Sequence, residues 1–159
     1  MTTPALHPDF RAFIASLRRT GVRFVVVGAH AMTILGRARQ TDDLDVLIER
    51  TPENAAALGN ALRDFGGFDA IATAAEQQLA EPNRMLTIGK KPVAIDILNQ
   101  ISGVAFEDAW AGRVEVSVDG ERTPFLGLTQ FVANKRAAGR TKDLQDLELL
   151  REAGVEIPD

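Results

Sequence analysis

Asp43 and Asp45 stand at the head of the run Asp43-Leu44-Asp45-Val46-Leu47-Ile48, and Asp96 interrupts Val93-Ala94-Ile95-Asp96-Ile97-Leu98. In a strand, residues i and i+2 point to the same face, so Asp43 and Asp45 project side by side where the first of these strands begins. Two carboxylates so close repel unless water or a divalent cation neutralises them, and hard oxygen ligands of this kind suit Mg²⁺ or Mn²⁺. A charge inside a β-rich apolar run is costly to bury alone, so Asp96 also needs a partner or a metal. If the two strands are neighbours, the three acids converge into the cluster used for two-metal phosphoryl transfer. Taken alone, the Asp-Leu-Asp pair reads equally as a solvated strand end.

A seat for phosphate lies upstream. Val25-Val26-Val27-Gly28-Ala29-His30 reads as a strand, a glycine turn and the start of a short helix. Such a turn presents backbone N–H groups and a positive helix end to an anion, and a nucleoside triphosphate fits between it and the acids. The same turn also serves as a plain strand-to-helix connection. Arg37 and Arg39 precede the acidic pair and offer bidentate phosphate contacts, with pairing to Asp42 or Asp43 as the competing reading. His30 is expected to pack or cap, His7 to lie in an exposed tail, and Phe65, Phe68, Phe106 and Trp110 to belong to the core or its edge.

Regular elements must position these groups. Phe10, Phe13, Ile14 and Leu17 fall on one helical face, which predicts a first helix from about Asp9 to Thr20. Strands follow at Phe24 to Val27 and Leu44 to Ile48, with a two-turn helix at Ala31 to Leu35 between them. Thr51-Pro52-Glu53 supplies a cap, an N1 proline and an acidic first turn for a helix ending at Gly66. The stretch from Ala70 to Ala80 is left open. Arg84 to Ile88 and Val93 to Leu98 form a hairpin turning at Gly89-Lys90-Lys91-Pro92. Val114 to Val118 and Arg122 to Leu126 form an edge hairpin about Asp119-Gly120. The C-terminal part is helical, from Thr129 to Ala138 and again after a Thr141 cap, with Leu144, Leu147 and Leu150 as its apolar stripe. A mixed sheet with helices packed on it is the economical architecture.

Composition narrows the class. The chain has 159 residues, 45% of them hydrophobic, no cysteine and a formal net charge of −4. One domain over 1–159 with a single core is expected. Disulfides, cysteine-based zinc sites and cysteine nucleophiles are excluded. The longest apolar stretch, Phe24 to Gly36, is too short to span a bilayer, and Met1 to Pro8 lacks the pattern of a secretory leader, so a cytoplasmic location is expected.

Gly28-Ala29, then Arg39-x-Thr41-x-Asp43-Leu44-Asp45, then Ile95-Asp96-Ile97 resemble the glycine turn, acidic pair and third acid of the nucleotidyltransferase superfamily, which includes DNA polymerase β and kanamycin nucleotidyltransferase. Lys135-x-x-x-Gly139-Arg140-x-Lys142-Asp143-x-x-Asp146-Leu147 is similar to a motif of its abortive-infection toxin branch and of many small bacterial relatives. The resemblance runs from about Gly21 to Leu150. It implies an α+β nucleotidyltransferase-like fold with a mixed sheet and a short C-terminal helical segment.

It also implies Mg²⁺- or Mn²⁺-dependent transfer of a nucleoside monophosphate from an NTP to a hydroxyl of a protein, RNA or small molecule, within a toxin-antitoxin or phage-defence pair. In the resembling family Asp43, Asp45 and Asp96 hold the metals, and Asp96 also activates the acceptor. Gly28 and Ala29 seat the phosphates, and Arg39, Thr41, Lys135 and Asp143 belong to the nucleotide-binding set. Acceptor contacts come from a partner protein or a second subunit. A solvated helix face is the competing reading for the charges of the last helix. Two other functions stand beside the transferase: a non-catalytic, partner-binding module on the same fold, and a sugar-nucleotide glycosyltransferase, for which the chain is short.

Overall fold

The computed structural model describes residues 6–159. Residues 1–5, which include most of the stretch read for a leader, lie outside it. Helix α1 (Pro8–Arg19) begins where His7 Nδ1 accepts the Asp9 N–H at 3.0 Å, so His7 is a cap rather than a tail residue. Its buried face is Phe10, Phe13, Ile14 and Leu17. Strand β1 (Phe24–Val27) is buried at every position and leads directly into α2 (Gly28–Leu35). A loop then reaches β2 (Asp43–Ile48). Thr51 caps α3 (Pro52–Gly66), and Gly67 closes it in the left-handed conformation.

The stretch left open by the sequence is α4 (Asp69–Gln78), an alanine-rich helix with no side-chain cap, packed on α3. Its buried residues, Ala72 and Ala75, are too small to give a strong apolar period. Strands β3 (Met85–Lys90) and β4 (Val93–Leu98) form a hairpin tighter than expected, turning on Lys91-Pro92 alone. The short α5 (Phe106–Ala111) stacks Phe106 on Trp110, and the guanidinium groups of Arg23 and Arg113 each lie over the Trp110 ring. Strands β5 (Val114–Val118) and β6 (Glu121–Phe125) make the expected hairpin, followed by α6 (Leu128–Ala138) and α7 (Thr141–Glu152).

The six strands form one mixed sheet in the order β3-β4-β2-β1-β6-β5. The pairs β2–β4 and β1–β6 are parallel, and the others are antiparallel. A single apolar core, including Phe13, Phe24, Phe125 and Phe131, joins sheet and helices. No helix among the described residues is long and apolar enough to cross a membrane.

Helix α7 departs from the sequence expectation. Arg140 rather than Thr141 stands at the N-cap, its backbone N–H donating to Asp143 Oδ2 at 3.2 Å. Leu144 is 48% exposed, while Asp143 and Asp146 are buried with Leu147 and Leu150. The solvated-face reading therefore fails for these acids, which are buried against paired cations from two other segments, Arg39 and Lys135.

Candidate active site

The parallel β2–β4 pair sets Asp45 beside Asp96 and Asp43 beside Ala94. Asp45 is also the partner of Val27, the last residue of β1, and Asp96 is the partner of Thr87 on β3. Val27, Asp45, Asp96 and Thr87 therefore form one row across four adjacent strands. Facing residues of paired strands project to the same side, so the acids that the sequence separates by some fifty positions meet there.

Gly28 has φ +70°, and a Cβ there would come within 2.3 Å of Asp45 Oδ2. The glycine is thus required twice, for its backbone and for the contact that seats the turn on the carboxylate. Thr41 frames the other side. Its Oγ1 accepts the Asp43 N–H and donates to the Asp43 carbonyl, both at 3.1 Å, which fixes the turn into β2.

A cavity of about 480 Å³ opens over this end of the sheet, a size suited to a small-molecule ligand. Of the residues the sequence singles out, Gly28, Ala29, Arg39, Thr41, Asp43, Asp45, Lys135 and Asp143 line it. Asp96 does not line it; the Asp96 carboxylate lies on the far side of Asp45, where its Oδ1 accepts from Thr87 Oγ1 at 2.7 Å.

The opposite wall is an ion network built on two buried acids. Asp146 receives Arg39 at 2.6 Å and Lys135 at 3.0 Å. Asp143 receives Arg140 at 2.7 Å and Lys135 at 3.3 Å. Arg39 is thus paired with Asp146, and not with Asp42 or Asp43 as the competing reading held. Burial pushes the Asp143 carboxyl up, but the bonds from Arg140 and Lys135 outweigh it and hold the group below the usual carboxylate range. Asp146 escaped the set of candidate site residues although it lies in the C-terminal motif; its spacing of three from Asp143 was the available signal.

Asp45 is the electrostatic opposite. Burial, the charge of Asp96, a hydrogen bond with it and the charge of Asp43 push its carboxyl up to about 7, with Lys135 the opposing cation. Such a site is short of positive charge, and a hard divalent cation matches its donors. Among the described residues no three acidic or imidazole groups already converge on one point as a metal cage. Asp45 and Asp96 are on neighbouring strands about 4.8 Å apart, with Asp43 two residues away, so the three carboxylates share one face of the sheet.

His30 lies outside the row. It packs edge-on to Phe10 at 5.6 Å, burial lowers its pKa, and it borders a second cavity with Thr33 and Phe125.

A family model described as "Nucleotidyl transferase of unknown function (DUF2204)" matches residues 7–156. The chain is similar in fold to the crystal structure of a "putative nucleotidyltransferase" from Thermotoga maritima, with 16% identity and a TM-score of 0.54 over 93% of this chain and 94% of that one. No functionally curated protein matches the sequence.

Proposed function

Because the chain belongs to the nucleotidyl transferase family of unknown function DUF2204, we propose that it transfers a nucleoside monophosphate from an NTP to an acceptor hydroxyl and releases pyrophosphate. The observation that carries this reading is the register that sets Asp96 beside Asp45, the latter at the foot of a cavity walled by the Gly28 turn.

In this mechanism the backbone N–H groups at Gly28 and Ala29 hold the β- and γ-phosphates. Lys135 and Arg39 face the same phosphates and are kept in place by Asp146. Asp43 and Asp45, with Asp96, would hold the divalent cation, which supplies charge neutralisation on the phosphates when bound. Asp96 takes the proton of the acceptor hydroxyl. The remaining work is orientation, since phosphoryl transfer asks little covalent chemistry of the protein. The C-terminal motif supports a setting in a toxin-antitoxin or phage-defence pair, with a protein, RNA or small-molecule hydroxyl as acceptor.

Thermal unfolding with each NTP, with and without Mg²⁺ or Mn²⁺, tests the reading. At 100 times the dissociation constant a ligand stabilises by about 2.7 kcal/mol, which is roughly 5–10 °C for a domain of this size. The shift is expected to require the metal, and to vanish in Asp43→Asn/Asp45→Asn and in Gly28→Ala. No shift with any NTP, or an equal shift in the double Asn variant, would contradict the reading and favour a non-catalytic module.

A further inference from the structure

The row that builds the acidic site does not end at Asp96. It continues to Thr87 on β3, the edge strand of the sheet, which no further strand covers among the described residues. Thr87 is exposed, and its Oγ1 donates to Asp96 Oδ1 at 2.7 Å. A nucleophile poised for activation shows this relation to its base: a hydroxyl hydrogen-bonded to the carboxylate that will take its proton.

The order of the row matters as much as the bond. From β1 outward it runs Gly28 turn, Asp45, Asp96, Thr87, with each strand about 4.8 Å from the next. In-line displacement at the α-phosphorus requires the leaving pyrophosphate and the incoming oxygen on opposite sides. With the β- and γ-phosphates at the Gly28 turn, the leaving group departs on the β1 side. The attacking oxygen must arrive from the side of β4 and β3, where Thr87 already presents one.

We propose that Thr87 is an internal acceptor, so that the protein transfers a nucleoside monophosphate onto its own Thr87 hydroxyl. Thr87 Oγ1 forms a bond to the α-phosphorus as the bond from that phosphorus to the bridging oxygen of the β-phosphate breaks. Pyrophosphate leaves with the bond electrons, and the hydroxyl proton passes to Asp96. The product is a phosphodiester on an exposed strand, seated over Asp96. It covers the base that an external acceptor would need, so the modification limits the protein's own activity. The inference rests on the transferase reading given above.

The test uses the full-length protein, incubated with each NTP and Mg²⁺ or Mn²⁺, with intact mass and peptide mapping as readouts and thermal unfolding in parallel. Cleavage after Arg84 and Lys90 releases Met85–Lys90, in which Thr87 carries the only hydroxyl. The expected result is a gain of one nucleoside monophosphate on that peptide, lost in Thr87→Val and in Asp96→Asn and kept in Thr87→Ser. An equal gain in Thr87→Val, mapped elsewhere, would overturn the proposal. So would no gain in the wild type while NTP and metal still raise its melting temperature, an outcome that leaves the transferase reading standing and reduces Thr87 to a residue that orients Asp96. Neither gain nor thermal shift would overturn both.

Discussion

Asp45→Asn is expected to melt higher than the wild type at pH 8, by roughly 5–10 °C, while losing metal-dependent nucleotide binding. The carboxyl is pushed up to about 7 by burial and by Asp96 and Asp43. A folded-state pKa above the unfolded value means that the folded protein holds the proton more tightly, so ionisation costs stability. That cost begins as pH rises past the unfolded value near 4 and is complete above about 7. At about 1.36 kcal/mol per unit, and with part of the burden shared with Asp96, it is on the order of 2–4 kcal/mol. Each kcal/mol moves the midpoint by roughly 2–4 °C at this chain length. The advantage of the Asn variant should vanish near pH 4 and should narrow at pH 8 when Mn²⁺ is added to both proteins. Melting curves across pH 4 to 9 check both trends; a variant less stable than the wild type at pH 8 would contradict them.

Asp146→Ala is expected to move stability the other way, by about 1.5–3 kcal/mol, or roughly 5–10 °C. Asp146 is a buried acid too, but it lies between Arg39 and Lys135. Its removal leaves the nearly buried Lys135 ammonium with Asp143 alone and releases the Arg39 loop from α7. Arg39→Ala should cost less, and the Arg39→Ala/Asp146→Ala pair should fall short of additivity by at least about 1 kcal/mol, as contacting charges do. Denaturant titration of the four proteins measures this coupling; strict additivity would mean that the pair does not tie the loop to the helix.

The opposite signs at Asp45 and Asp146 follow from what surrounds each carboxylate. Asp146 has its cations within the chain and is a fixture of the wall. Asp45 has Asp96 across one strand spacing and Asp43 two residues away on its own strand, with Lys135 as its opposing cation, and is left short of positive charge at the floor of the cavity.

Much of this was legible in the residues. Alternation along Asp43-Leu44-Asp45, and a lone charge in the run around Asp96, mark both strands and the face the acids share, because strand periodicity is local. Thr51-Pro52-Glu53 and Asp119-Gly120 mark a helix start and a hairpin by equally local chemistry. Long-range pairings are where legibility ended. In α7 the leucines at 144, 147 and 150 suggest a stripe, yet Asp143 and Asp146 are buried because Lys135 and Arg39 pair with them. Arg39 is remote in sequence, and no local pattern announces it. Thr87 was closer to view. Reading the β3–β4 turn as Lys91-Pro92, rather than Gly89 to Pro92, sets Lys90 opposite Val93 and brings Thr87 opposite Asp96 by counting back. The wider turn shifts that register and hides the pair.

The central claim is that the Gly28 turn and the three aspartates form one nucleotide site. A crystal structure with Mn²⁺ and an NTP analogue that cannot be cleaved between its α- and β-phosphates tests it most directly, because the anomalous signal of manganese locates the ion independently of the ligand. The expected result is a manganese peak bonded to Asp43 and Asp45, the β- and γ-phosphates against the Gly28 and Ala29 N–H groups, and the α-phosphorus on the Asp96 side of Asp45. Nucleotide bound elsewhere, such as in the cavity beside His30, or manganese absent from the aspartates at saturating nucleotide, would contradict it.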